Sequence, residues 1–579
     1  MNVVVTAVDS QYVHQNLAVK SLLSNCRGNI RPKLLVCNIN QQPHFVLKRL
    51  LSAQPEVAAF SCYIWNISFV LTLCEDLKKI SPHTKILLGG PEVSFTPFEL
   101  MKEHGFLDYI LCGEGEESFP LLLDTLQNGG ELSVVPGLVY REGETILGDG
   151  SYQMIKQLDS LPFPYTIDDL NSSYDKIIYY ESSRGCPFSC SYCLSGAIGG
   201  GVRELPIPRV KEDLTKFCDA GVKLVKFVDR TFNVNPRRAK EILSFILTST
   251  GDMRFHFEIG ADLLDDELLS LLCAAPKGKI QLEAGVQSCN QLTLREVVRL
   301  TNLQKLRQNA QALLSSGRVH LHLDLIAGLP YEDFDSFGES FDDIYRLQPH
   351  QLQLGFLKLL KGSVLLKEAD RHQIVFRAYP PYEVLSTAYL SAAELLELKD
   401  VEEVLERYYN SGRAVKGCGY LIDSVFFSPF AFYRALAAFC SQRGCLDRPL
   451  STANQFGVLA QFAKPLLCEN AYRQFLALTK LDFLSVGSKG AYPAAFDEIK
   501  TDASIGDHIR LAKRNGLISS SQAHRAKFDI VPLHPQSLEP VPTLVMVETD
   551  RRDPITGKCT VTPLFVIPKS SASGAVDGL

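Results

Sequence analysis

The sequence predicts an α/β chain in three parts: a doubly wound sheet domain, a partial barrel of six β/α units, and a mainly helical C-terminal domain. Three observations lead there. Short β-rich runs alternate with amphipathic segments over residues 1–130, and the same alternation resumes near residue 176 after a stretch rich in Pro and Gly. Beyond about residue 375 the strand-like runs give way to longer helical patterns. The length, 579 residues, is too great for one hydrophobic core and suggests roughly three or four domains.

The first part, residues 1–135, has strand-like runs at 3–8, 34–37, 57–62, 85–88 and 109–112. They are apolar at consecutive positions, as strands covered on both faces are, so five parallel strands in a doubly wound, flavodoxin-like sheet are expected. Such sheets bind ligands outside the carboxyl ends of their strands. Residues 136–172 contain Pro136, Gly137, Gly148, Gly150, Pro162 and Pro164 and read as a linker with a small hairpin. Over 173–375, strands are expected at 177–181, 224–228, 255–259, 280–284, 321–326 and 352–356. Helical periodicity lies between them at 238–247, 265–272 and 303–314, the pattern of an open barrel of parallel strands. Residues 376–569 show helices at 388–398, 401–409 and 429–441, with β-like runs only at 543–548 and 560–567 around a hairpin-like connection. Residues 570–579 are small and polar enough to form a disordered tail.

Composition narrows the function classes. Apolar residues make up 46% and charged residues 21%, ordinary for a folded protein. The net charge is -6 with Lys and Arg scattered, so no nucleic-acid partner is evident. No basic leader precedes the first strand, and no apolar run approaches the roughly 20 residues that span a bilayer. A cytoplasmic protein without a membrane partner is expected. Its sixteen cysteines should then stay reduced, most of them as buried small hydrophobes. Cys440, Cys445 and Cys468 match no common ligand set and read as buried thiols.

One cysteine group has ligand spacing. Cys186, Cys190 and Cys193, in Cys186-Pro187-Phe188-Ser189-Cys190-Ser191-Tyr192-Cys193, share a short loop at a strand's carboxyl end. A cubane held by three thiolates keeps one iron open to a substrate or cofactor. A closed electron-transfer cluster or structural zinc wants a fourth ligand, and the stretch through Gly201 offers none. Coincidental thiols or an incomplete zinc knuckle would leave both the spacing and the placement after a strand without a reason.

A Cys-x3-Cys-x2-Cys loop with an aromatic residue, Tyr192, before the third cysteine resembles the radical S-adenosylmethionine (SAM) superfamily. The resemblance implies a 4Fe-4S cluster on the three cysteines, SAM chelating the open iron, and reductive cleavage of SAM to a 5'-deoxyadenosyl radical. Glu283-Ala284-Gly285-Val286-Gln287-Ser288 resembles the family's strand ending in Gly-x-Gln-Ser, and Asp324-Leu325-Ile326-Ala327-Gly328-Leu329-Pro330 its next strand and Gly-Leu-Pro turn. Glu283, Gly285, Gln287, Ser288 and Gly328 are therefore expected beside the cofactor, with the glycines admitting it closely and Gln287 and Ser288 hydrogen-bonding it. Taken singly, each is also ordinary turn chemistry. Phe227-Val228-Asp229-Arg230-Thr231-Phe232 replaces the Gly-Gly-Glu run of many members, with Asp229 the candidate for the amino-group contact. Glu258 and Asp262 either face the cofactor cavity or cap the helix beginning near Asp265.

The first domain resembles the cobalamin-binding module of cobalamin-dependent radical SAM enzymes. Ser61-Cys62-Tyr63 and Gly89-Gly90-Pro91-Glu92 stand where that module carries Ser-x-Leu and Gly-Gly, with Tyr63 departing from Leu, and Gly113-Glu114-Gly115-Glu116 resembles its Gly-Glu-Gly-Glu turn. Cobalamin beside Ser61, Tyr63, Gly89, Gly90 and Glu114 is implied; the alternative is a flavodoxin-like domain without ligand. The Asp-x-His-x-x-Gly cobalt-ligand motif is absent, since Asp9 and His14 have the wrong separation. His14 is then structural or substrate-facing. The last part resembles a C-terminal extension of unknown role on such proteins.

The combination implies methyl transfer to an unactivated carbon of a small-molecule or peptide substrate, with a flavodoxin or ferredoxin as reductant. Ring closure, oxidation or rearrangement with the same cofactors is the alternative. In a different class stands a non-enzymatic iron–sulfur redox or sensor protein, which would not bind SAM.

Overall fold

The computed structural model describes residues 1–26, 30–174, 176–487, 490–501 and 503–567. The tail expected at residues 570–579 lies outside them. The chain divides into two compact units, residues 1–332 with 355–391, and residues 333–354 with 392–579.

The first unit opens with β1 (Val3–Asp9), β2 (Lys33–Asn38), β3 (Val57–Ser61), β4 (Lys85–Gly89) and β5 (Tyr109–Leu111), parallel in the order β2-β1-β3-β4-β5. Successive residues of a strand enter opposite cores. Val4, Val8, Ala58 and Phe60 meet the helix Ile67–Ile80 on one side, while Val3, Val5, Ala7 and Ala59 meet the helices Leu17–Asn25 and Ser118–Asn128 on the other. That double cover is why the runs are apolar at every position. The order reverses between β1 and β3, which opens a crevice at the strands' carboxyl ends.

The hairpin expected in a linker belongs instead to this sheet. β6 (Leu138–Glu142) and β7 (Thr145–Gly148) add antiparallel strands beyond β5 and bring the sheet to seven. Buried Leu138 and Val139 supply the apolar reason, and pairing covers what would otherwise be a bare edge at β5.

A second sheet follows, its strands between residues 178 and 327 lying in the same unit. β8 (Ile178–Tyr180) precedes the short antiparallel pair β9 (Ser183–Arg184) and β10 (Arg203–Glu204). Then come β11 (Leu224–Phe227), β12 (Arg254–Glu258), β13 (Ile280–Gln287), β14 (His320–Ala327) and β15 (Gln351–Phe356). The sheet runs β15-β14-β13-β12-β11-β8, neighbours in sequence being neighbours in space, as the six expected β/α units require. Along β13, Ile280, Leu282, Ala284 and Val286 are buried, and the alternate Gln281, Glu283, Gly285 and Gln287 share the other face.

In the second unit, the helices expected at 388–398 and 401–409 are one helix, Ala392–Leu405, running into a π turn at Glu406–Asn410. Further helices include Pro429–Gln442, Thr452–Ala463 and Glu469–Val486. The expected terminal hairpin is present as Thr543–Arg552 and Cys559–Val566, with a third strand, Lys527–Val531, paired to it. Its polar Lys527 and Asp529 hide it in the sequence; buried Asp529 is an ion-pair partner of Lys480 at 2.8 Å. Cys468, expected buried, is exposed just before the helix Glu469–Val486. Among the described residues, no single helix is long and apolar enough to cross a membrane.

Candidate cofactor sites

The cysteine loop leaves the end of β8 and is shaped by its own backbone. Gly185 has φ +101°, and a Cβ there would lie 2.1 Å from the Gly201 carbonyl, so only glycine fits. Gly196 packs its Cα over the loop, where a Cβ would stand 3.0 Å from Phe188 O. Ser191, between two of the cysteines, donates its N–H to Val297 O at 3.0 Å and accepts from Leu365 N at 2.8 Å. Cys190 is buried and Cys186 and Cys193 are half-buried; none is in a disulfide.

Asp229 closes the other side of this turn. Its carboxylate accepts from Ser182 N at 2.8 Å, Ser182 Oγ at 2.6 Å and Ser183 Oγ at 2.7 Å. Burial pushes it up to about 6, against the pull of these hydrogen bonds. Both oxygens accept bonds from its own chain, which ties Asp229 to the entry of the loop.

Arg299 connects the loop to the barrel, and no sequence motif pointed to it. Its Nη1 lies 3.9 Å from Cys190 Sγ and 3.4 Å from the Tyr192 hydroxyl, and its Nη2 donates to Gly285 O. The signal was a lone cation in the apolar run Val297-Val298-Arg299-Leu300. Gln287, at φ +73°, folds its amide over Gly285, where a Cβ would meet Gln287 Nε2 at 2.0 Å. Ser288 donates to Glu332 Oε1 at 2.6 Å, and Gly328 turns the chain after β14 at φ +93°.

The inward face below is strongly ionic. His256 Nε2 is 3.0 Å from Glu283 Oε2, with Lys226 Nζ 3.5 Å away, and His322 Nε2 is 2.8 Å from Asp324 Oδ1. The His256 hydrogen bond, with Lys226 nearby, holds Glu283 down at about 2 despite burial. Burial pushes Glu258 up to about 7; Arg230 and Lys226 oppose this, while Glu283 and Asp324 reinforce it. For His322, burial acts downward but Asp324 and Glu283 outweigh it, leaving the imidazole above its usual value. Glu258 faces this cluster. Asp262 accepts from Asn302 N at 3.0 Å, and Asp265, not Asp262, caps the helix Asp266–Cys273.

At the carboxyl ends of β1, β3, β4 and β5 lies a cavity of about 640 Å³, lined by Ser61, Tyr63, Gly89, Gly90 and Glu114 and, from the barrel side, by Tyr179 and Arg184. Gly90 has φ +105° and would place a Cβ 2.6 Å from Cys62 O. Trp65 and Tyr63 stack on one another beside it. His14 Nδ1 is 2.5 Å from the Tyr179 hydroxyl, which ties the first sheet domain to the first barrel strand. Glu114 pairs with Arg203 at 2.6 Å and Arg184 at 3.1 Å, and Glu116 with Arg184 at 2.8 Å. The Gly113–Glu116 turn is therefore also a latch to the β9–β10 pair, its Glu114 held below the usual carboxylate range by the arginines against burial.

Family models match along the whole of this arrangement: the B12 binding domain over residues 3–123, the Radical SAM superfamily over 180–344, and a protein family of unknown function (DUF4080) over 370–527. It is a radical SAM protein with a B12 binding domain. The radical SAM methyltransferase TokK of Streptomyces tokunonensis, described as cobalamin-dependent, is 25% identical over 348 residues, 56% of this chain and 50% of TokK. The anaerobic magnesium-protoporphyrin IX monomethyl ester cyclase of Cereibacter sphaeroides is 22% identical over 60% of this chain and 59% of the cyclase. The structure of OxsB, a cobalamin-dependent SAM radical enzyme, shares the fold with a TM-score of 0.58 at 15% identity, covering 90% of this chain and 82% of OxsB. The chain spans about half the length of the first curated relatives it matches.

The donor sets fit the cofactors these domains take. In the radical SAM barrel, three thiols share one loop, with the Arg299 guanidinium 3.9 Å from Cys190 Sγ. In the B12 binding domain, glycine-edged strand ends and an aromatic pair line a cavity large enough for much of a bulky ring.

Proposed function

We propose that this protein is a cobalamin-dependent radical SAM enzyme that transfers a methyl group to an unactivated carbon. The observation that carries the proposal is the shared cavity: one compact unit sets the strand ends of the B12 binding domain against the first strand of the radical SAM barrel. When bound, the cluster and SAM supply a primary carbon radical, and cobalamin carries the methyl group. Cys186, Cys190 and Cys193 would hold the cluster, with Tyr192 beside them. Gly285, Gln287, Ser288, Gly328, Glu258 and Glu283 would border SAM, with Gly285 backed by Arg299. Ser61, Tyr63, Gly89 and Gly90 would border cobalamin, and Asp229 and Glu114 would hold the loop and the latch.

The similarity to the magnesium-protoporphyrin cyclase supports a second reading in which the same cofactors serve a ring closure or oxidation. With either reading go a low-potential flavodoxin or ferredoxin as electron donor and a cytoplasmic location, since an iron–sulfur cluster and sixteen free thiols suit reducing surroundings. The substrate is a small molecule or peptide.

The test is to reconstitute the protein without oxygen and measure 5'-deoxyadenosine formed from SAM with dithionite or reduced flavodoxin. Alanine at Cys186, Cys190 or Cys193 should abolish both cluster iron and product. Full iron content and SAM cleavage in those variants would refute the reading. With a turning-over substrate, S-adenosylhomocysteine formed beside 5'-deoxyadenosine supports methylation, and its absence supports the second reading.

A further inference from the structure

Next to two segments that hydrogen-bond the cysteine loop at Ser191, three metal-ligating side chains converge. Glu296 ends the helix Gln291–Glu296, and Glu368 and His372 stand four residues apart on one turn after the helix Val364–Lys367. One donor atom from each lies within 4.8 Å of the others. A Glu and a His at that spacing face the same way, as metal ligands on one helical turn do.

The histidine is the second, independent pointer. Its side chain is 1% exposed. Nδ1 is held 3.2 Å from the Tyr389 hydroxyl, with Tyr331 packed edge-on to the ring. This aims Nε2 at the carboxylates, 3.2 Å from Glu296 Oε1, yet Nε2 makes no hydrogen bond there. In the tautomer whose Nδ1–H donates to the phenol oxygen, Nε2 presents a lone pair toward the Glu296 carboxylate, and a cation between them satisfies both. An imidazole fixed through one nitrogen with the other bare is the usual form of a metal-binding histidine. Arg371 Nη1, 2.7 Å from Glu296 Oε1, is the competing cation, but its side chain is 57% exposed, where solvent screens the pair.

We propose that Glu296, Glu368 and His372 bind a divalent transition-metal ion, zinc in preference to magnesium or calcium because one donor is an imidazole. Its place in the fold gives it a role. The residue after Glu296, Val297, accepts from Ser191 N, and Leu365, three residues before Glu368, donates to Ser191 O. A metal joining these two segments clamps the backbone of the loop that carries Cys190 and Cys193. This site is independent of the functional reading above, because it requires neither SAM nor cobalamin.

The experiment is elemental analysis of the anaerobically reconstituted full chain after dialysis against one equivalent of Zn2+, with iron and zinc counted per chain. About one tightly held zinc in the wild type is expected, lost in both E368Q and H372A, and cluster iron should dissociate faster from these variants under a chelator. R371A separates the alternatives even where H372A folds poorly. A metal site keeps its zinc and thermal stability when Arg371 is removed, whereas a plain ion-pair cluster loses its only strong cation and stability with it. Zinc content that is unchanged in E368Q and H372A, absent from the wild type, or accompanied by destabilised R371A would overturn the proposal.

Discussion

The indole of Trp65 lies flat on the phenol ring of Tyr63, with centroids 4.4 Å apart and 6° between the planes. Both line the cavity at the carboxyl end of β3, and Trp65 is the chain's one tryptophan. Indole emission therefore reports on this place alone. Cobalamin, a strong absorber, should quench it saturably, while W65F should have no tryptophan signal to quench. W65A should weaken cobalamin binding by about 1 kcal/mol, roughly fivefold, through the lost aromatic contact. Emission indifferent to saturating cobalamin would place the cofactor elsewhere.

Arg299 sits 3.9 Å from Cys190 Sγ and carries a charge at every accessible pH. A fixed cation beside a thiolate-ligated cluster favours its reduced, more negative form. R299Q should shift the cluster midpoint negative, on the order of tens of millivolts, and slow SAM cleavage by a weak reductant more than by a strong one. A redox titration followed by electron paramagnetic resonance checks this, and an unchanged midpoint would leave Arg299 its bonds to Tyr192 and Gly285 alone.

Much of the fold was legible because it rests on patterns with one physical reading. The runs of β1 and β3 are apolar on both faces, and helices of clear period at 238–247, 265–272 and 303–314 separate barrel strands. The cysteine loop was equally plain, since its spacing has few other uses. What stayed hidden depends on contacts between distant segments. Asp229 meets Ser182 and Ser183 from 47 and 46 residues away, Arg299 reaches Cys190 across 109, and Glu114 reaches Arg203 across 89. The resemblance puts Glu114 beside a ligand, and Asp229 is the candidate where the family's motif is replaced; the folded chain shows that both also bond within the protein. The hairpin of β6 and β7 was read as a linker because its Gly and Pro are turn residues in either setting.

Glu258 gives the structure a pH signature. Its folded value, about 7, stands above the ordinary 4.5, because burial disfavours the charge and Glu283 and Asp324 repel it. Between those values the folded state holds the extra proton. The stabilisation is complete below about pH 4.5 and is lost as pH rises through about 7. Asp229, raised to about 6, acts in the same direction. From about pH 5 to about pH 7.5 the wild type should lose stability from these groups, and E258Q should flatten that fall by a few degrees in Tm. Melting curves of the cofactor-free protein decide it; identical pH profiles would show that the Glu258 carboxyl titrates normally.

Gly113 offers the sharpest steric test, because its backbone and its surroundings both exclude a side chain. At φ +88° it lies in a region where a Cβ is strained, and that Cβ would fall 2.3 Å from Gln153 O and 2.4 Å from Gln153 N. Both are backbone atoms, so no rotamer can relieve the overlap, and the chain must shift where Glu114 begins its latch to Arg184 and Arg203. Gly129, at φ +65° with nothing within 4 Å of its Cβ, isolates the conformational part of the effect. G129A should cost about 1 kcal/mol and leave cobalamin binding intact. G113A should cost at least about 3 kcal/mol and lower cobalamin affinity, because the displaced turn borders the cavity. Denaturant unfolding with cobalamin titration measures both quantities, and equal costs for the two substitutions would show that the backbone at Gln153 yields freely and that the latch does not depend on this glycine.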